Sequence, residues 1–150
     1  THIPLPNYIP FKAEDLINDI ANLLIANGIK FTIADIEPIT INADRGQIEQ
    51  VLINLIKNAW EAASERENPE VKVEISKNEY QRPVIIVSDN GYGILEEQFD
   101  KIFIPFFSTK KEGSGIGLSI CRQIISAHGG TISVVSEVDV DRGTQFIVRL

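Results

Sequence analysis

A carboxylate and two glycine clusters are spaced so that they could hold a phosphate compound. Asp89-Asn90-Gly91-Tyr92-Gly93-Ile94 and Gly113-Ser114-Gly115-Ile116-Gly117-Leu118 lie about two dozen residues apart and frame a stretch with no clear helical or strand period. Glycine costs conformational entropy and is used where the backbone takes φ > 0 or approaches something closely. The first cluster follows the apolar run Val84-Ile85-Ile86-Val87-Ser88, which predicts a strand ending in a carboxylate. The second leads into an amphipathic pattern from Ile116 to His128. A helix start fed by glycines offers free N–H groups and positive partial charge, which suit a phosphate. Together these are the two halves of a nucleotide site.

A third group sits upstream. From Arg45 to about Ser64, Ile48, Val51, Leu52, Leu55, Ile56, Ala59 and Ala63 fall on one arc at about 100° per residue, which predicts a helix. Gln47, Asn54, Asn58, Glu61 and Glu65 fall on the opposite stripe. Asparagine is a poor helix former because its amide competes for backbone partners. Two of them a turn apart read either as a solvated polar face or as amide oxygens presented to a hard cation. Asp44 reads as the N-cap, with Gln47 completing a capping box.

The elements that must position these groups follow in order. The prolines of 1–10 predict an extended lead-in. Phe11 to Asn27 predicts a helix stopped at Asn27-Gly28. Ile29 to Ile36 and Ile39 to Asn42 read as strands, and Glu70 to Ser76 alternates as a strand with one wet face. Val84 to Ser88 reads as a central strand, covered on both faces or covered and flanked. Asn78 to Pro83 is a hairpin turn, and Glu96 to Lys101 a short helical turn. Ile102 to Phe107 is partly core, and 108–115, with Lys110, Lys111 and Gly113, is a mobile lid over the site. Thr131 to Ser136 and Gln145 to Leu150 read as strands joined through a turn at Asp141-Arg142-Gly143. His128 reads as a structural residue at a helix C-terminus, and Cys121 and Trp60 as core.

Composition sets bounds. With 150 residues, 43% hydrophobic and 23% charged, this is read as one globular domain, 1–150. A net charge of −7 argues against nucleic acid as a partner. One cysteine leaves no internal disulfide, and no run reads as a membrane span or signal peptide. A start at Thr1 suggests an excised domain.

In order, Asn54-xxx-Asn58-Ala59, Asp89-x-Gly91-x-Gly93, Phe103-x-Pro105-Phe106-Phe107, Gly113-x-Gly115-x-Gly117-Leu118 and Gly143-Thr144 resemble the N, G1, F, G2 and G3 boxes of the sensor histidine kinase ATP-binding domain, over Asp44 to Leu150. The wider superfamily holds gyrase, Hsp90 and MutL ATPases. The resemblance implies an α/β two-layer sandwich, a mixed sheet of about five strands packed on three helices. It implies that ATP and Mg²⁺ are bound, that the γ-phosphoryl group goes to a histidine on an N-terminal dimerisation domain, and that a response regulator receives it next.

By resemblance, Asp89 accepts from the adenine amino group, with Gly91, Gly93 and Ile94 beside the base and Thr144 at the adenine end. Asn58 holds Mg²⁺, and Asn54 lies near it. Asn54 and Lys110 serve the transfer, Lys110 reaching the γ-phosphate from the lid, and Thr109 is nucleotide-binding. Gly113, Gly115 and Gly117 form the phosphate-side lid hinge, Ser114 and Ile116 between them are nucleotide-binding, and Leu118 starts the helix beneath the triphosphate. Phe103 and Phe107 anchor the lid. Where the ATPase branches carry a glutamate base, this chain has Asn54, which cannot accept a proton in that way and so favours phosphoryl transfer over hydrolysis. Glu61 stands where many histidine kinases have a lysine, and Asn58-Ala59-x-Glu61-Ala62 looks like the nitrogen-sensor type. The further expectations are a cytoplasmic domain, a homodimeric parent that is either free or anchored in the inner membrane, and a monomeric fragment. The rival readings are an ATPase of the superfamily, an anti-sigma-type serine kinase and a non-catalytic binding module.

Overall fold

The computed structural model describes residues 3–107, 117–136 and 143–150. Strand β1 (Ile9–Lys12) is followed by α1 (Ala13–Ala26), β2 (Thr32–Ile36), β3 (Thr40–Ala43), α2 (Arg45–Ala63), β4 (Val71–Lys77), β5 (Pro83–Asp89), a 3₁₀ turn at Glu96–Gln98, α3 (Gly117–Ala127), β6 (Thr131–Ser136) and β7 (Thr144–Arg149). β1 and β3 pair antiparallel as a small separate ribbon. The main sheet runs β2-β4-β5-β7-β6, with β2 parallel to β4 and the other pairs antiparallel. The expected sandwich is therefore present: a mixed five-stranded sheet packed with three helices.

The core forms where two periodicities meet. The buried positions of α2 are Ile48, Val51, Leu52, Leu55, Ile56, Ala59 and Ala63, the arc set by its helical spacing. Facing them are Val71, Val73 and Ile75 of β4, Ile85 and Val87 of β5, and Phe146 and Val148 of β7, all on alternate strand positions. Each fully buried Leu or Ile in such a layer contributes roughly 1.5–3 kcal/mol relative to exposure. β5 is central, but Val84 and Ile86 are only half-buried. Its unbroken apolar run thus reflects flanking by neighbour strands, not burial on both faces. Trp60 is likewise half-buried against the core, not inside it as expected, whereas Cys121 is fully buried.

Asp44 caps α2 by accepting from the Gln47 amide at 3.1 Å. The reciprocal bond of the expected capping box is absent. Gln47 instead donates its Nε2 to Pro4 O at 2.9 Å, and the Asp44 amide donates to His128 Nε2 at 3.1 Å. The other Asp44 carboxylate oxygen accepts from the Asn7 amide at 2.9 Å. One residue so joins the lead-in segment, the start of α2 and the end of α3.

Candidate nucleotide site

Asp89 is the last residue of the central strand. Register pairs it with Val71 of β4 and Thr144 of β7. Its Oδ1 accepts from the Gly91 amide at 2.8 Å, a turn that holds the carboxylate at the strand end. Gly91 is needed for close packing: a methyl group there would lie 2.8 Å from Ala62 O and 2.9 Å from Asp89 Oδ1. The glycine that was expected to make room for a base thus also makes room for the backbone of α2. Gly93 has φ +88°, which a side chain would strain. Gly143 packs on the carbonyl of Asp89, and a methyl there would also come within 3.0 Å of Asn90 Cα.

Thr144 is 4% exposed, and its Oγ1 lies 2.8 Å from Ser136 Oγ. The Ser136 hydroxyl also receives the Ile94 amide at 2.7 Å and reaches Gly143 O at 3.0 Å. One consistent assignment has Ser136 donating to Gly143 O while accepting from Ile94 and from Thr144. Sequence reasoning missed Ser136, because its partners lie 42, 7 and 8 residues away and no local pattern marks it. It also missed Arg66, whose guanidinium holds the 89–92 turn: Nε donates to Asn90 O at 2.8 Å, and the group lies over the Tyr92 ring at 4.1 Å.

On the other side of the site, Asn54 and Asn58 are both half-buried on α2. A methyl group at Gly117, the first residue of α3, would lie 4.0 Å from Asn54 Cγ. The amide row is thus brought to the start of the helix that follows the second glycine cluster, with Leu118 half-buried behind it. Ala62 and Asn54, where the two halves of the site touch α2, stand eight residues apart, about 12 Å along the axis at 1.5 Å per residue. The Cys121 thiol donates to Val51 O at 3.8 Å, and burial pushes its pKa up to about 12, against the smaller opposing influence of the nearby Asn54 amide. Cys121 is therefore a neutral core group. Glu61, further along the polar stripe from Asn58, is exposed.

Phe103 is buried edge-on against Phe146, ring centroids 6.3 Å apart, and Ile102 is buried beside it, while Phe107 is half-buried. Phe106 is 80% exposed with φ +69°. The aromatic run is therefore core at one end and surface at the other. Thr109, Lys110, Gly113, Ser114, Gly115 and Ile116, with the expected lid mobility and the Asp141-Arg142 turn, lie outside the described residues. Among the described residues no group of three His, Cys, Asp or Glu could hold a metal. A cation here would need amide oxygens together with those of a bound phosphate, and the Asn58 side chain has that chemistry.

Comparison with known proteins agrees with this geometry. Residues 43–150 match the family described as histidine kinase-, DNA gyrase B-, and HSP90-like ATPase. The chain belongs to that family of nucleotide-binding domains. Among curated relatives it is 33% identical over 144 residues to sporulation kinase D of Bacillus subtilis, covering 91% of this chain and 27% of that protein. It is 36% identical over 142 residues to the sensor histidine kinase ZraS of Escherichia coli, covering 88% of this chain and 30% of that one. Both relatives are thus much longer than the region they share with this chain. Among solved structures, the catalytic domain of histidine kinase ThkA superposes with TM-score 0.81 at 35% identity, covering 96% of this chain and 95% of that one. Full-length ShkA, solved with AMPPNP, gives TM-score 0.81 at 28% identity over 99% of this chain and 32% of that one. ThkA solved with the response regulator protein TrrA gives TM-score 0.79 at 35% identity over 95% of this chain and 41% of that one.

Proposed function

We propose that this chain is the ATP-binding catalytic domain of a sensor histidine kinase. It binds ATP with Mg²⁺ and donates the γ-phosphoryl group to a histidine on the parent's own dimerisation domain, for relay to a response regulator. The observation that carries the reading is that one helix, α2, meets both halves of the site. Gly91 beside Asp89 packs on Ala62, and Gly117 at the start of α3 faces Asn54, whose Cγ would lie 4.0 Å from a methyl group there. A base held at one end would place its phosphates at the other. The ShkA complex with a nucleotide analogue and the ThkA complex with a response regulator support the ligand and the partner by likeness.

In this reading Asp89 accepts from the adenine amino group, and guanine, which presents a carbonyl there, is rejected. Gly93, Ile94 and Thr144 line the base end, and Phe103 and Phe107 brace the lid. Asn58 gives its amide oxygen to Mg²⁺, which when bound neutralises phosphate charge. The N-terminus of α3 at Gly117 and Leu118 faces the phosphates, with the 113–116 glycine run as hinge. Phosphoryl transfer needs positioning and charge neutralisation more than a protein nucleophile, and Asn54 supplies no base for hydrolysis. Lys110 approaches the γ-phosphate. The domain is 1–150 with 1–10 as lead-in and 108–115 as lid, on the cytoplasmic side of a homodimeric parent.

Calorimetric titration tests this with a non-hydrolysable ATP analogue and with GTP, each with and without Mg²⁺. The analogue is expected to bind and GTP not to bind. Asp89→Asn should abolish binding, and Asn58→Ala should remove only the Mg²⁺-dependent part. Equal binding of GTP, or unchanged binding by Asp89→Asn, overturns the assignment.

A further inference from the structure

Arg66 lies just past the end of α2, outside every motif of the sequence. Its Nε donates to Asn90 O at 2.8 Å, its second terminal nitrogen approaches Gly91 O at 3.4 Å, and the guanidinium plane lies over the Tyr92 ring at 4.1 Å. The Asn90 carbonyl and the Gly91 amide belong to one planar peptide unit. That same Gly91 N–H is the donor to Asp89 Oδ1, at 2.8 Å. Fixing the carbonyl end of the plane therefore fixes the N–H end, and a charged donor on the oxygen also strengthens the bond made by the nitrogen.

We propose that Arg66 is a positioning residue for nucleotide recognition, setting the orientation of the Asp89 carboxylate through the Asn90–Gly91 peptide. The inference rests on the adenine-recognising role proposed for Asp89.

A second anchor makes the role separable from folding. Asn90 ties the turn to the 68–70 loop by itself: Oδ1 accepts from the Glu70 amide at 2.9 Å, Nδ2 donates to Asn68 O at 2.7 Å, and its amide donates to Glu70 O at 3.2 Å. Loss of Arg66 leaves the turn attached and frees one peptide to rotate. Lysine is no substitute, since an ammonium point charge cannot span two carbonyls and lie flat on a ring.

The test uses Arg66→Ala and Arg66→Lys in the 150-residue chain, with two readouts. One is the Gly91 amide by NMR, its proton shift and exchange rate. The other is calorimetric affinity for ADP without Mg²⁺, with the Mg²⁺-dependent gain measured separately. Both variants should shift the Gly91 amide and speed its exchange. ADP affinity should fall about tenfold, the size of one hydrogen bond to a charged group. The Mg²⁺-dependent gain and the thermal midpoint should stay close to wild type. An unmoved Gly91 amide, or ADP affinity retained in Arg66→Ala, overturns the proposal. If the wild type binds no ADP while the amide moves, the reading of Asp89 fails and with it the recognition role of Arg66, although the peptide clamp stands.

Discussion

His128 and Asp44, 84 residues apart, share a hydrogen bond of 3.1 Å from the Asp44 amide to His128 Nε2. Because Nε2 must accept, Nδ1 carries the proton and donates to Ile124 O at 2.8 Å. The ring so adds a second bond to the Ile124 carbonyl, which also accepts from the His128 amide at 3.2 Å, and satisfies the amide at the start of α2, with Tyr8 edge-on at 5.4 Å. His128→Ala should lower unfolding free energy by about 1–3 kcal/mol, the range for a polar group left unpaired. His128→Phe keeps the ring and loses both bonds, so it should also destabilise. Urea unfolding of either variant with wild-type stability would remove the link.

Asp44 gives the fold an acid limit. The Asn7 amide is the main cause holding its carboxyl below the ordinary 3.8, aided by the Gln47 and Gly46 amides and opposed by burial. A folded-state value below the unfolded one means that this stabilisation is fully present above 3.8 and is lost as pH falls through the lowered value. The stability gap between wild type and Asp44→Asn should be flat from neutral pH to about pH 5 and shrink below it. Thermal melts across that range check the sign, and a gap that widens on acidification contradicts it.

Gly91→Ala should damage both fold and site. Its methyl group would meet Ala62 O at 2.8 Å and Asp89 Oδ1 at 2.9 Å, so the turn must move off α2. A cost of about 1–3 kcal/mol is expected for such overpacking, with loss of ATP-analogue binding. Gly28→Ala is the control. Gly28 has φ +80° with open space around it, so it should cost about 1 kcal/mol and leave binding intact. Denaturant unfolding and calorimetry on both variants separate strain from recognition.

Ser136→Ala removes the acceptor of the Ile94 amide and the partner of Thr144. A loss of about 1–3 kcal/mol is expected, together with faster hydrogen exchange at Ile94. Unchanged exchange at Ile94 would show that the loop after Gly93 is held by other contacts.

Cys121 should resist thiol reagents in the folded protein. It is buried, and its pKa is pushed up to about 12, so almost no thiolate exists at pH 8. Labelling should follow global unfolding in urea, and rapid labelling of the native state would contradict the packing of α3 on α2.

The sequence by itself determined the elements and the class of site. The arc from Ile48 to Ala63 predicted the buried face of α2 residue for residue, because helical spacing and burial are the same constraint seen twice. The strand ending at Asp89 was equally legible from its apolar run and its terminal carboxylate. Tertiary structure alone decided the long-range bonds that tie the turns around the site and the ends of α2 and α3. Arg66, Ser136 and the His128–Asp44 bond depend on partners between 7 and 84 residues away, and no local period records them. It also gave Gly91 and Gly143 their packing role. Contact between backbones has no side-chain signature in the chain, because it is made where a side chain is missing.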